Sequence, residues 1–331
     1  MKRNRKRFAI TGATGFVGSS LAKALVAAGG EVCALARPSS SPKRLSDTAV
    51  KWLAADISQP ETLHGLFHNT DYVIHAAGML GQAGIPEKAY HELHVEGTRH
   101  VLDEVAATDP TPKVLYISSP GVLGPINGPA ATEDSPIAPG NPYERSKAVA
   151  EQLVGVYAAA GLPVVITRPE FIYGPGDTHV LGLFRAIQQG RFFFIGDGRN
   201  TCHPTYVSDA VDGMLRCLEQ GKRGEIYHIA GPRPITFREL ATAISGALGV
   251  SPPRVQIPRL IASAGAGLFE GLGRITHRQT PLSRDGVAFF SENRRFSWAK
   301  AKSELNYQPQ IDIQMGTVKT VDWYRQLGYL T

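Results

Sequence analysis

Cysteine is scarce in this chain. Its 331 residues include three, Cys33, Cys202 and Cys217, which are scattered and form no CxxC pair. An odd, dispersed set excludes a disulfide framework and fits reduced thiols in a cytoplasm. Long apolar runs are also missing. No stretch reaches the roughly 18 uninterrupted apolar residues of a transmembrane helix. The basic start is followed by FAITGATGFVG, whose apolar run is broken by glycines, so the features of a signal peptide are absent. There is no internal repeat and no low-complexity tract. Hydrophobic residues make up 43% and charged residues 19%, which excludes a disordered chain.

A pronounced charge surplus is missing too, once one segment is set aside. The net charge is +6, and Lys2, Arg3, Arg5, Lys6 and Arg7 supply five of those charges. The rest of the chain is nearly neutral. No aromatic–basic stacking pattern accompanies the leader, so it reads as solvated and no nucleic-acid partner is expected. The HELH stretch at 91–94 lacks the i, i+4 histidine spacing of a zinc helix, so no metal is expected.

What is present is an alternation. RFAIT, EVCALA, VKWLAA, DYVIHAA, KVLYISS and LPVVITR read as apolar strands, with helical patterns between several of them. One long helix opens at Pro86, and another carries Tyr143 and Lys147. Continuous apolar strands separated by helices predict an α/β fold, a doubly wound parallel sheet. The length exceeds what one core usually fills. The glycine- and proline-rich later segments predict a smaller, mostly C-terminal substrate lobe. Residues 1–173 and 203–231 are assigned to the dinucleotide-binding domain, 174–202 and 232–331 to the lobe.

TGATGFVG places glycines at 12, 15 and 18 between the first strand and the first helix. Gly12 permits the tight turn, Gly15 lets backbone approach a pyrophosphate, and Gly18 allows close helix packing. The helix N-terminus offers free N–H groups to phosphate. Arg37 stands at the end of the second strand, with Lys43 and Arg44 beyond and no carboxylate immediately after it. Arginine there suits a 2′-phosphate, so NADP(H) is expected over NAD(H).

Tyr143 and Lys147 fall on one helix face. Reducing a ketone requires a proton at oxygen as hydride reaches carbon, and a tyrosine can supply it. With a reference pKa of about 10 it is a poor base, and a neighbouring ammonium favours the phenolate. Ser119 can hold the substrate oxygen.

These motifs, with DI at Asp56–Ile57, HAAG at 75–78, YISS at 116–119, YxxxK at 143–147 and RPEFIYGPGD at 168–177, resemble the extended short-chain dehydrogenase/reductases. The resemblance implies a catalytic Ser119, Tyr143 and Lys147. It implies that Gly12, Thr14, Gly15, Phe16, Val17, Gly18, Arg37, Asp56, Ile57, Ala76, Ala77, Gly78, Pro169 and Ile172 line the cofactor path. It also implies a homodimer through helices at about 86–107 and 142–160. His94 stands where the family usually has asparagine.

Departures from the family bear on the substrate. Pro120 and Gly121 replace the Asp-Glu pair with which dehydratases move a proton. Phe171 and Cys202 replace an asparagine and an arginine that help nucleotide-sugar enzymes hold their ligand, although Arg191 or Arg199 offers a substitute. The expected pocket is therefore apolar. The end of the chain resembles the 3β-hydroxysteroid/sterol dehydrogenase branch, and residues 257–275 are a lid helix or a peripheral membrane contact. The leading expectation is interconversion of a secondary alcohol and its ketone on an apolar ring. The alternatives are a nucleotide-sugar 4-epimerase and a redox-sensing regulator, the latter opposed by the intact Ser119, Tyr143 and Lys147.

Overall fold

Seven strands form one parallel sheet in the computed structural model, which describes residues 5–82, 84–276 and 284–331, with 268–276 and 285 described in backbone only. They are β1 (Arg7–Thr11), β2 (Glu31–Ala36), β3 (Val50–Ala54), β4 (Tyr72–His75), β5 (Lys113–Ile117), β6 (Val164–Pro169) and β11 (Ile226–Ile229). Their order is β11-β6-β5-β4-β1-β2-β3. The chain winds outward from β1 in one direction and from β4 in the other. The crevice at the carboxyl ends of β1 and β4 is thus the switch point where such sheets bind ligands.

Both faces of the sheet's centre are covered, which is why β1, β4, β5 and β6 are mostly buried and largely apolar, whereas the edge strand β3 is largely exposed. Successive side chains alternate between the faces. In β5, Val114 and Tyr116 join one core with Leu102 and Val154, while Leu115 joins the other with Leu21 and Met214. Helices α1 (Phe16–Ala27) and α6 (Val207–Gln220) pack on the second of these faces.

The helix expected from Pro86 has a break in its hydrogen-bond pattern. It runs as α2 (Glu87–His91), a π-helical turn at Glu92–Glu96, and α3 (Gly97–Ala106). Helix α4 (Pro142–Ala159) has Pro142 in its first turn, and the Asn141 side chain accepts from the Glu144 N–H at 2.9 Å. This cap and proline fix where the helix begins, one residue before Tyr143.

The remaining strands are two-residue pairs: β7 (Ile172–Tyr173) with β10 (Thr205–Tyr206), β9 (Thr201–Cys202) with β12 (Ile235–Thr236), and β8 (Phe194–Ile195) with β13 (Gln256–Ile257). Helices α5 (Leu181–Gln188), α7 (Phe237–Leu248) and α11 (Ile313–Gln326) surround a third core that includes Phe184, Phe237, Leu240, Val321 and Tyr324. Helices α8 (Arg259–Thr276), α9 (Arg284–Ser291) and α10 (Ala299–Leu305) complete the chain.

Among the described residues no helix is long and apolar enough to cross a membrane. The segment 257–275 includes most of α8. Leu260 and Ile261 are exposed, and its side chains from 268 onward lie outside the described residues, as do Lys2 and Arg3 of the basic leader.

Candidate active site

The glycine turn joins β1 to α1 at the edge of the switch-point crevice. Gly12 has φ +69°, and a Cβ there would sit 2.6 Å from both the Ala76 oxygen and the Ala77 nitrogen. A Cβ on Gly18 would lie 2.3 Å from the Gly12 oxygen. Only glycine fits either place without moving backbone. Gly15 caps α1 with no side-chain hydrogen bond, so the first-turn N–H groups remain available to an anion. This cradle fits a dinucleotide pyrophosphate. Thr14 flanks it, Val17 packs into the core, and the Phe16 ring lies against Gly176.

The path continues along the β4 end. Thr11 Oγ1 receives the Ala77 N–H at 3.2 Å and meets His75 Nδ1 at 2.7 Å. His75 Nε2 meets Thr98 Oγ1 at 3.0 Å. Burial, then the nearby Lys147 charge, lowers the His75 pKa to about 3. Asp56 accepts from the Ser58 N–H and hydroxyl, and Ile57 packs on Gly97. Arg37 is exposed just past β2, and Arg44 donates to the Gly176 carbonyl. Pro169 ends β6, and Ile172 begins β7.

Ser119 follows β5, its Oγ accepting the Gly121 N–H at 3.1 Å, and Tyr143 opens α4. Burial pushes the Tyr143 pKa up to about 12, the neighbouring Ser119 hydroxyl pulls against this, and the charges of Glu144 and Glu170 add to the rise. The phenol is therefore protonated when the cofactor is absent. Lys147 lies on the same face, but its Nζ donates to the Ile117 carbonyl at 2.7 Å and to the Tyr116 hydroxyl at 3.1 Å. Burial lowers its pKa to about 8, opposed by Glu151 one turn along. Beneath it Glu151 binds the fully buried Arg168 through two bonds of 2.5 and 3.0 Å.

His94 sits inside the π-helical turn and is buried, whereas His91 is exposed, so the two histidines do not converge. His94 Nε2 accepts from the Met79 N–H at 3.1 Å, which leaves Nδ1 protonated and donating to Ser146 Oγ at 2.8 Å. Ser146 in turn donates to the Tyr143 carbonyl at 2.7 Å. Burial, then Lys147, lowers the His94 pKa to about 3. The histidine thereby ties the loop after β4 to the first turn of α4.

The opposite wall carries the expected Phe171 and Cys202, plus a group that the sequence reading missed. Phe171 has φ +34° and its ring meets Phe289 edge-on at 5.5 Å. Cys202 is 2% exposed, its thiol pKa raised by burial and by Glu170. Glu170, between Pro169 and Phe171, is 6% exposed. Burial lifts its pKa to about 7, Arg294 opposing and Glu144 adding to the rise. Arg294 is committed elsewhere, bonding Glu144 Oε1 at 2.7 Å. Glu144 also accepts the Gly140 N–H at 2.8 Å, and its carboxylate lies where a side chain at Gly121 would extend. The expected apolar wall is corrected accordingly: a buried carboxyl group lies within it. The signal was an acidic residue inside the apolar strand end TRPEFIY. Arg199 pairs with Asp197 and is 82% exposed, and Arg191 is also exposed.

Residues 8–230 match the model of the NAD dependent epimerase/dehydratase family. The chain belongs to this family. A 4-hydroxy-2-methyl-3-oxo-4-farnesyl-3,4-dihydroquinoline-1-oxide ketoreductase of Stigmatella aurantiaca is 31% identical over 96% of this chain and 96% of its own. Sterol demethylase protein B of Methylococcus capsulatus is 28% identical over 97% of this chain and 99% of its own. Among solved structures, DesIV, a dTDP-glucose 4,6-dehydratase from Streptomyces venezuelae with NAD and TYD bound, superposes with a TM-score of 0.80 at 27% identity, covering 97% of each chain. The fold and family expected from the motifs are those found. The family includes reductases, epimerases, decarboxylases and dehydratases, so its reaction type has to be argued from the site.

Proposed function

We propose that this family member interconverts a secondary alcohol and its ketone by hydride transfer with a nicotinamide cofactor. The observation that carries this reading is the pairing of the arginine in the wall beside Tyr143. Glu144 and Glu170 lie there, and the nearby Arg294 is already paired. A nucleotide-sugar diphosphate needs free cations, and the Arg294 guanidinium here is already bonded to Glu144. Pro120 and Gly121 also lack the proton-moving pair of a dehydratase. Relatives named as a ketoreductase and as 3β-hydroxysteroid dehydrogenase/decarboxylases support the same choice.

The site divides the work in a simple way. The glycine turn and the α1 N-terminus hold the cofactor phosphates, and the bound nicotinamide supplies or accepts the hydride. Ser119 holds the substrate oxygen, and Tyr143, a phenol at neutral pH, gives it a proton during reduction. Lys147, with a pKa near 8, lies one turn along to restore that proton. Phe171 and Phe289 offer an aromatic surface to a ring substrate such as a steroid or sterol. The exposed Arg37 at the β2 end favours NADP(H) over NAD(H).

The test is a panel of hydroxysteroids, aryl alcohols and UDP-sugars with NADP⁺ or NAD⁺. Stoichiometric reduced nicotinamide with an alcohol is expected. UDP-sugar interconversion with no net redox change would establish the 4-epimerase instead.

A further inference from the structure

Two buried histidines that the proposed reaction does not use, His75 and His94, stand in one hydrogen-bond chain. Thr98 Oγ1 donates to the His94 carbonyl at 2.5 Å, so it receives a bond of 3.0 Å from His75 Nε2. The neutral His75 ring then accepts the Thr11 hydroxyl at Nδ1, and Thr11 Oγ1 in turn takes the Ala77 N–H. The His94 side chain carries the chain onward. Its Nε2 accepts the Met79 N–H, its Nδ1 donates to Ser146 Oγ, and Ser146 donates to the Tyr143 carbonyl. The chain thus begins beside the glycine turn, against which Ala76 and Ala77 pack, and ends on the residue that carries the phenol.

The same groups enclose the Tyr143 ring. A Cβ at Gly81 would lie 3.4 Å from the Tyr143 Cβ and Cγ, so the backbone of residues 79–82 rests on that side chain. His94 holds this segment at one end through Met79. Tyr90 holds it at the other, its hydroxyl taking the Gln82 N–H at 2.8 Å. The His94 and Tyr90 rings stand edge-on to Tyr143, with centroids 5.6 and 6.1 Å away. Both ring nitrogens of His94 are engaged, so it has neither a proton nor a lone pair to offer a substrate.

We propose that His94 is the positioning residue of Tyr143: through Ser146 it fixes the backbone from which the phenol projects, and through Met79 it fixes the surface on which the ring rests. This builds on the reading of Tyr143 as proton donor given above. Proton transfer from a held donor tolerates little displacement, and a shift of about 1 Å can cost roughly a hundredfold in rate. The Ser146 link carries the larger share, because it ends on Tyr143 itself.

The test follows single-turnover nicotinamide reduction with 1-phenylethanol and with epiandrosterone, a 3β-hydroxysteroid, using NADP⁺ and NAD⁺. His94→Phe keeps a ring and loses both bonds. Its rate should fall roughly ten- to a hundredfold, with cofactor affinity within about twofold of the unaltered protein. Ser146→Ala deletes only a hydroxyl and should lose a similar factor, and the double variant should lose no more than either alone. An asparagine amide reaches the place of Nδ1, and a glutamine amide that of Nε2. His94→Asn, which still donates to Ser146, should therefore recover to within about fivefold of the original rate, while His94→Gln stays low. An unchanged rate in Ser146→Ala, multiplied losses in the double variant, or a rate in His94→Asn no higher than in His94→Gln would overturn the proposal and leave the alcohol–ketone reaction intact. Absence of nicotinamide reduction with these and every other alcohol of the panel would overturn that reaction and this inference together.

Discussion

His94 Nδ1 donates to Ser146 Oγ across 2.8 Å, joining the π-helical turn to the helix that presents Tyr143 and Lys147. Ser146 passes the bond to the Tyr143 carbonyl, and the Met79 N–H holds the other ring nitrogen as an acceptor. The ring is therefore fixed neutral in one tautomer.

An acid sensitivity follows. His94 and His75 both have pKa values lowered to about 3 in the folded chain, below the ordinary value of 6.5. The unfolded chain binds more protons between those values, so this contribution to stability is complete above pH 6.5 and declines as pH falls toward 3. Each histidine contributes a slope of about 1.4 kcal/mol per pH unit within that window. Denaturant unfolding of His94→Gln between pH 4 and 7 should show a slope shallower by one such amount. An unchanged slope would show that His94 is not held neutral.

Tyr143→Phe removes the hydroxyl proposed as proton donor and leaves the ring that packs beside His94. Turnover should fall by roughly a hundred- to ten-thousandfold. Nicotinamide binding, followed by fluorescence, should be unchanged, because the glycine turn is untouched. A modest rate loss would mean that another group supplies the proton.

Arg37→Ala tests the cofactor preference. A charge-assisted bond to a 2′-phosphate is worth about 1.5–3 kcal/mol, or roughly ten- to a hundredfold in affinity. NADP(H) should weaken by that factor while NAD(H) is unaffected. Equal binding of the two cofactors by the unaltered chain would remove the basis for this assignment.

Glu151→Ala would leave the Arg168 guanidinium, 2% exposed, without its charge partner. Removing one member of a buried pair costs about 3–5 kcal/mol. The change also takes away the charge that raises the Lys147 pKa, so any limb of the pH–rate profile due to Lys147 should move to lower pH. Stability is read by denaturant melts, and the shift by kcat/KM against pH. Loss of stability with an unmoved profile would confine Glu151 to a structural role.

The local sequence settled what depends on near neighbours. TGATGFVG specified a turn that only glycine can make, and YxxxK with the Asn141-Pro142 start put Tyr143 and Lys147 on one helix face. Apolar runs separated by helical patterns specified a sheet covered on both sides. The tertiary structure decided what depends on burial and on distant partners. Desolvation inside the fold raises the pKa of Tyr143 and lowers that of Lys147, which their spacing alone does not reveal. The bonding pattern of His94 arises from Met79 and Ser146 on separate segments. Beside Phe171 and Cys202 the fold pairs Arg294 with Glu144, 150 residues apart, a bond that the local sequence does not reveal. Helix and turn preferences act over a few residues, whereas a side chain's charge state is fixed by the groups the fold brings against it.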